Sequence, residues 1–147
     1  MAKDIHEWVR KVDDSRLAAI ELVLRLQGEG VIVGLNRRLG RVSNVIPFTA
    51  MFLHGVEAET NIFFQLLDWQ TDSDVVITNI TTLPDLKRGY GFGSIAVQKL
   101  ICWARENNLH EIRATQVGDR NSQRFWEKNG FIRCSDPNPC GDYVYRW

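Results

Sequence analysis

The sequence predicts one mixed α/β domain with a largely antiparallel sheet flanked by helices, and three observations carry that prediction. Apolar residues recur at helical spacing near the start, turn-separated β-rich runs fill the middle, and strand-like and helix-like segments alternate afterwards. The length of 147 residues suits a single domain spanning 1–147. With 44% hydrophobic and 24% charged residues, the composition excludes a mostly disordered chain.

The first segment carries apolar residues of helical period over residues 5–12 and again over 17–26. Residues 13–15 between them are two Asp and a Ser, which are residue types that cap helix N-termini. The pattern predicts two helices or one long bent helix. The glycine-containing segment 28–30 is expected to end it, because glycine favours helix C-termini.

The middle of the chain is typical of an antiparallel meander. A short β-branched run at 31–33 predicts a strand, and three longer runs follow at 45–54, 61–70 and 75–83. The polar and glycine-containing breaks between the longer runs fit hairpin connections.

The last half alternates helix and strand patterns after a glycine-rich turn at 88–93. Gly130 is expected to end the second helix of this half, and Pro137 to Pro139 mark the turn between two closing strands. The predicted elements are a helix over 94–108, a strand over 112–117, a helix over 119–129 and strands over 131–134 and 143–147.

Charge and cysteine usage limit the class of protein. Lys plus Arg and Asp plus Glu number 18 each, so the zero net charge disfavours a dedicated binder of nucleic acid or anionic membrane. No run approaches the ~20 apolar residues of a membrane span, and the first residues lack an apolar signal core. Three cysteines, an odd number, then favour reduced thiols and a cytoplasmic location.

The segment from Arg88 to Ser94 is the most informative part of the chain. Its three glycines allow positive φ and close approach of a ligand, and it lies between a predicted strand and a predicted helix. The first N–H groups of that helix have no internal partners and favour an anion such as phosphate. Arg88, with Lys87 beside it, adds positive charge.

The glycine spacing narrows the choice of nucleotide. A P-loop is excluded because no Gly-Lys-Ser/Thr follows, and the third glycine comes one residue too early for the dinucleotide fingerprint. Glu111 lies at about the right distance for a ribose-binding acid, but the first half of the chain lacks βαβ units. A tight turn without any ligand remains the alternative.

Two motifs resemble the GNAT superfamily of N-acetyltransferases. Arg88-x-x-Gly91-x-Gly93 resembles its pyrophosphate-binding motif, and residues 121–131, a short helix ending in Gly-Phe, resemble its second acetyl-CoA motif. The resemblance covers roughly residues 75–147. It implies an acyl-CoA N-acyltransferase fold with an acceptor half at about 1–74 and an acetyl-CoA half at about 75–147.

The resemblance also implies a binding mode for acetyl-CoA as co-substrate, with no metal. The main chain of the strand ending in Thr82 and Leu83 would pair with the pantetheine arm, and N–H groups from Gly89 to Ser94 would hold the pyrophosphate. The helix of the second motif would flank the arm and the thioester. The implied acetyl-CoA-binding residues are Thr82, Leu83, Arg88, Gly89, Tyr90, Gly91, Phe92, Gly93, Ser94, Asn121, Phe125 and Trp126.

The sequence departs from the family in three places, one of which is Pro84, four residues before Arg88 and one more than in the commonest form of the motif. A first strand before the helices is absent or replaced, for which 31–35 is a candidate. Trp126 occupies the position where many members carry the tyrosine that protonates the CoA thiolate, and an indole N–H is no practical proton source. Ser122, one helical turn before Trp126, and Tyr143 on the last strand are the substitute candidates. A thiolate of ordinary pKa can also leave unaided, at some loss of rate.

The sequence does not single out one general base, since the strand over 78–82 has no acidic residue. Glu59, Asp68 and His54 are candidates, although solvated carboxylates and structural histidines are commoner.

The function expected from the resemblance is direct transfer of an acetyl group from acetyl-CoA to a primary amine. A main-chain N–H near Thr82 or Leu83 would stabilise the oxyanion. The expected partners are acetyl-CoA and an amine-bearing acceptor, either a small molecule or a protein, and a homodimer is left open. The alternative is a non-catalytic acyl-CoA-binding or protein-interaction module on the same fold. A toxin-like enzyme acting on charged tRNA is a third hypothesis, which the neutral charge disfavours.

Overall fold

The computed structural model describes residues 5–35, 47–68, 73–115, 117–134 and 141–147. Within these ranges three helices pack against one seven-stranded sheet. The helices are α1 (Ile5–Gly28), α2 (Phe92–Glu106) and α3 (Arg120–Lys128). The strands are β1 (Ile32–Leu35), β2 (Pro47–His54), β3 (Ala58–Asp68), β4 (Ser73–Leu83), β5 (Glu111–Ala114), β6 (Ile132–Arg133) and β7 (Tyr143–Arg146).

The first segment is one continuous helix. α1 runs without interruption through the polar residues 13–15, so of the two arrangements left open by the sequence the structure has the single helix. It ends at Gly28, as predicted, and Gly30 follows with a φ of 92°. Tertiary packing explains why the helix continues, because its second half buries Ala19, Leu22 and Leu26 in the core.

The predicted meander is confirmed, and the hairpin between β2 and β3 is tighter than predicted. β1 to β4 are sequential antiparallel neighbours, and β1 is an edge strand that follows α1 in the chain. β3 already begins at Ala58, which pairs with His54, so the break predicted at 55–60 shortens to 55–57. Gly55, the first residue of this turn, has a φ of 65°, a left-handed conformation that glycine adopts without strain.

β4 separates from its neighbour β5 halfway along its length. The two strands pair in parallel only from Val75 to Ile77, and the ladder finishes where the N–H of Thr115 donates to the carbonyl of Ile77 over 3.1 Å. At this point the register with β3 shifts, because Phe63 pairs with Asn79 and Phe64 with Ile77, leaving Thr78 as an extra residue. Such a bulge bends a strand and increases its twist, so the outer half of β4 diverges from β5.

The final strands are shorter than predicted and arranged out of chain order. β5 stops at Ala114 rather than at 117, β6 has two residues, and β7 lies between β5 and β6. α2 also begins two residues earlier than predicted, at Phe92. The turn predicted at Pro137 to Pro139 lies outside the described residues.

The buried residues form one hydrophobic cluster that joins the sheet to all three helices. Trp103 on α2 is fully buried, and its Nε1–H donates to the carbonyl of Leu22 on α1 over 3.1 Å. A buried indole needs such a partner, since an unpaired N–H would carry a desolvation cost. This contact joins α2 to α1. None of the described helices combines the length and apolarity that a membrane span requires.

Candidate functional site

A cleft of about 680 Å³ opens where β4 has separated from β5. Three elements form its lining, and two of them carry the sequence motifs. β4 contributes residues 80–82, the turn and the start of α2 contribute 87–89 and 91–94, and α3 contributes Asn121, Ser122, Phe125, Trp126 and Lys128. Both motifs, which are distant in sequence, therefore face one cavity.

The glycine turn starts α2 without a side-chain cap. Gly91 is the N-cap residue, with a φ of 84° and no side-chain hydrogen bond to the helix. The first helical hydrogen bond runs from Ile95 N–H to the carbonyl of Gly91, so the N–H groups of Gly91 to Ser94 precede it. A Cβ built on Gly91 would meet no atom within 4 Å and would project into open space. The arrangement offers backbone donors and the positive end of a helix dipole to an anion.

The charged side chains that line the cleft are all cationic among the described residues. They are Lys87, Arg88 and Lys128. Arg88 lies 3.1 Å from Asp85, and Lys87 lies 3.9 Å from Glu57, so two of the cations have carboxylate partners just outside the cleft. Both side chains are partly exposed, and a polyanionic ligand would compete with those weak pairs.

α3 forms the opposite wall and packs closely against the start of α2. A Cβ built on Gly93 would lie 3.1 Å from the ring of Phe125, so only glycine allows this approach without a shift. The C-cap residue Asn129 joins the two helices. Its Nδ2 donates to Ser94 Oγ over 3.1 Å, and its Oδ1 accepts from Gln98 over 3.1 Å. Asn129 is buried, and the sequence signal for it was only its place before Gly130.

Ser122 lines the cleft, but its hydroxyl is engaged at the start of α3. The N-cap Asp119 accepts from Ser122 N–H over 2.8 Å and from Ser122 O–H over 2.9 Å. These two hydrogen bonds, the backbone one first, hold the pKa of Asp119 below its usual range. The Ser122 hydroxyl hydrogen therefore points at a carboxylate, and in this arrangement it is not available to a leaving thiolate.

Trp126 lines the cleft but is almost wholly buried. The residue is 4% exposed and packs edge-on against Phe125 and Phe131, with ring centroids 5.0 and 4.8 Å apart. It thus belongs to the aromatic cluster that holds α3 on the sheet.

Three of the predicted site residues do not line the cleft. Leu83 lies at the end of β4 and lines a separate depression of about 530 Å³ beside the hairpin at 55–57. Tyr90 is 67% exposed, with its ring stacked on that of Phe92. Tyr143 is buried, and its hydroxyl donates to Glu127 over 3.1 Å. Burial and the Glu127 carboxylate raise the pKa of Tyr143, which makes it a weaker acid.

Two of the three candidate bases, Glu59 and His54, lie outside the lining of the cleft. Glu59 lines the separate depression and accepts from Asn61 over 3.1 Å. The side chain of Asp68 lies outside the described part of the structure. His54 bonds to Thr60 over 2.8 Å, and burial, followed by the charge of Lys99, lowers its pKa below the ordinary value.

Two solved structures share this fold. One is a domain from Methanocaldococcus jannaschii, with 14% identity, a TM-score of 0.51 and coverage of 74% of this chain and 70% of that one. The other is a putative acetyltransferase of the GNAT family from Desulfovibrio desulfuricans, with 17% identity, a TM-score of 0.50 and coverage of 70% and 67%. At these identities they show the shared fold and nothing more specific.

Sequence comparison supports the same family. No curated protein matches the chain. The model of the acetyltransferase (GNAT) family matches residues 60–131, which include β3 from Thr60 onward, β4, the glycine turn, α2, β5 and α3. This match confirms the resemblance to the GNAT superfamily that the two sequence motifs predicted.

Proposed function

We propose that the protein is a cytoplasmic N-acetyltransferase that moves an acetyl group from acetyl-CoA directly to a primary amine. The observation that carries this proposal is the combination of an uncapped, glycine-started helix and a divergent strand in one cleft. The helix start suits a pyrophosphate, and the outer half of β4 suits an extended arm. In this proposal residues 1–147 form one domain, with the acceptor bound by the first half.

The shape of the cleft supports a long ligand with an anionic end. β4 has lost its β5 partner beyond Ile77, so its main chain along residues 80–82 has room for a pantetheine arm beside it. The cations Lys87, Arg88 and Lys128 stand near the glycine turn, where the phosphates would bind. The thioester would then lie towards the bulge at Thr78, where β4 and β5 diverge.

The proposed reaction is a single displacement. The neutral amine attacks the thioester carbonyl carbon, a main-chain N–H of β4 stabilises the oxyanion, and the carbon–sulfur bond then breaks. The amide forms, the amine proton passes to water or a base, and CoA leaves as its thiolate. A CoA thiolate is a competent leaving group near neutral pH, since an ordinary thiol has a pKa of ~8.5.

The alternative, a non-catalytic acyl-CoA-binding module, rests on a specific observation. The substitute acids Ser122 and Tyr143 both donate their hydroxyl hydrogens to carboxylates. No described residue that lines the cleft is acidic, so a base would have to come from elsewhere. A non-catalytic binder would need neither a general acid nor a general base.

Ligand-dependent melting tests the binding step that both hypotheses share. At about 100 times Kd, acetyl-CoA adds ~2.7 kcal/mol to the free energy of unfolding. For a chain of this size we expect the melting temperature to rise by roughly 5–10 °C. Gly91→Val should abolish the shift, because the side chain is strained at a φ of 84° and fills the phosphate site. No shift for the wild type at millimolar acetyl-CoA would contradict both hypotheses.

Release of free thiol then separates an enzyme from a binder. The assay offers acetyl-CoA with a panel of polyamines, amino acids and peptides to the wild type and to Trp126→Tyr. For an enzyme that lacks its acid, a phenol at this position should speed release by up to the ~10²-fold lower end of general acid catalysis. If the wild type turns over and the variant is slower, this position does not lack a needed acid. The indole of Trp126 would then be required for the shape of the site.

A further inference from the structure

A chain of hydrogen bonds leads from β2 into the cleft through a buried hydroxyl. His54 Nε2 lies 2.8 Å from Thr60 Oγ1, which in turn lies 2.9 Å from Thr82 Oγ1. Thr60 is fully buried, whereas Thr82 lines the cleft. The two threonines are direct cross-strand partners on β3 and β4, so the sheet register fixes their contact. Neither sequence motif contains His54 or Thr60.

Both ends of this chain touch the first turn of α2. Thr82 Oγ1 lies 3.7 Å from the position that a Cβ on Gly93 would occupy, beneath the helix start. At the other end, the His54 ring stacks on that of Phe92, the first residue of α2, with centroids 4.5 Å apart. The Thr82 hydroxyl is thus a side-chain neighbour of the uncapped backbone N–H groups.

Because the Thr60 hydroxyl has a single hydrogen, the two hydrogen bonds that join His54, Thr60 and Thr82 can run in only two directions. If His54 Nε2 accepts from Thr60, then Thr60 accepts from Thr82, and Thr82 turns lone pairs towards the cleft. If His54 Nε2–H donates to Thr60, then Thr60 donates to Thr82, and the Thr82 hydrogen is left for the cleft. An anionic ligand oxygen is attracted only by the second arrangement.

We propose that His54 and Thr60 are positioning residues that hold the Thr82 hydroxyl as a hydrogen-bond donor to a phosphate oxygen of bound CoA. This inference rests on the proposed function, because it takes CoA as the ligand. The donor would add one side-chain hydrogen bond to the backbone cradle at residues 91–94.

The state of His54 suits this role. Burial keeps its pKa low, so the ring is neutral at pH 7 and carries one N–H. A neutral ring can place that hydrogen on either nitrogen, and the bound ligand selects the form protonated at Nε2. The direction that the proposal requires therefore needs no net uptake of a proton.

A matched pair of substitutions at Thr60 tests the chain by CoA titration in calorimetry. Thr60→Val keeps the shape but removes the hydroxyl, and should weaken CoA binding about 3- to 10-fold, the value of one hydrogen bond. Thr60→Ser keeps the hydroxyl and should bind within about twofold of the wild type. If Thr60→Val binds CoA as tightly as the wild type, the inference is wrong.

A double-mutant cycle separates positioning from a general effect on the fold. Because Thr60 acts through Thr82, Thr60→Val should have no further effect on CoA affinity in a Thr82→Val background. A purely structural role would weaken binding by the same factor in both backgrounds, and that result would overturn the inference.

The third measurement is made on the wild type. Nitrogen-15 shifts of the His54 ring show which nitrogen carries hydrogen. His54→Phe, which retains an aromatic ring beside Phe92, serves only to assign the signals among three histidines. Upon CoA saturation Nε2 should be protonated, and an unprotonated Nε2 in the complex would overturn the inference. A wild type that binds no CoA would instead refute the proposed function and this inference with it, whereas intact wild-type binding with unaffected variants refutes this inference alone.

Discussion

The N-termini of α2 and α3 face the same cleft but are completed in opposite ways. α2 begins at a glycine with no side chain to cap it, and its first N–H groups stay open to the cleft. α3 begins at Asp119, whose carboxylate already accepts from the N–H and the hydroxyl of Ser122. One helix start is available to an external anion, and the other carries its own.

This difference teaches how to rank helix N-termini as candidate anion sites. A helix dipole alone does not make a site, because a capping carboxylate supplies the same negative charge from within. At α2, the missing cap coincides with positive φ at Gly89 and Gly91 and with cations along the same cleft. The ligand would take the place that Asp119 fills at α3.

The largest expected effect comes from giving α2 the internal anion that α3 has. Gly91→Asp places a carboxylate at the uncapped end, where it repels phosphate and blocks the cradle. We expect CoA affinity to fall at least about 100-fold, the value of one or two charge-assisted hydrogen bonds. Gly30→Asp is the matched control, since Gly30 also has a positive φ, 92°, and open space but lies after α1. Equal losses of CoA affinity in both variants would argue against a site at Gly91.

The reverse experiment removes the internal anion from α3. Asp119→Ala leaves the first N–H groups of α3 unpaired, and we expect the melting temperature to fall by about 2–6 °C. CoA affinity should change by less than about threefold, since Asp119 does not line the cleft. Asp119→Asn, which still caps, should melt close to the wild type. A large loss of CoA binding in Asp119→Ala would contradict the view that the start of α2 binds the anion and the start of α3 does not.

A smaller effect is expected from the exposed cation beside the glycine turn. Arg88→Ala should weaken CoA binding by about 3- to 10-fold, because most donors of the site are backbone groups. Asp85→Ala removes the carboxylate that lies 3.1 Å from Arg88 and should leave affinity unchanged or slightly raised. Calorimetric titration of both variants compares the two directly, and weaker binding by Asp85→Ala would assign the pair a structural role.

The smallest expected effect is the pH dependence of the α3 cap. Because hydrogen bonds lower the pKa of folded Asp119 below 3.8, its stabilisation is complete above that pH. It is lost as the pH falls through the lower folded pKa. The difference in melting temperature between the wild type and Asp119→Ala should therefore stay constant from pH 5 to 7 and shrink below pH 3.8. A difference that persists at lower pH would mean that the carboxyl group caps equally well when protonated.

The sequence predicted the lining of the cleft better than the positions of the candidate acids and bases. Gly91 and Gly93 could be predicted because their lack of a side chain has one local consequence, a positive φ or a close approach. Tyr143 could not be placed, since its partner Glu127 depends on how β7 and α3 pack. The chain from His54 through Thr60 to Thr82 depends on cross-strand register, which no local pattern specifies.

Strand lengths show the same limit. The run at 75–83 correctly predicted β4, but the bulge at Thr78 has no glycine or proline to announce it. β5 was expected over 112–117, whereas pairing stops at Ala114, where β4 turns away. The divergence of the two strands is thus a property of the pair rather than of either segment.

The insertion of β7 between β5 and β6 has a consequence for the order of folding. β1 to β4 pair only with neighbours in the chain, so the meander can form from sequence-local contacts, which close fastest. β5 gains its second partner only when β7 arrives, and Tyr145 of β7 then packs on Phe131 after α3. A folding intermediate with a finished meander would therefore still lack the α3 wall. We expect amide exchange to protect β2 and β3 before α3.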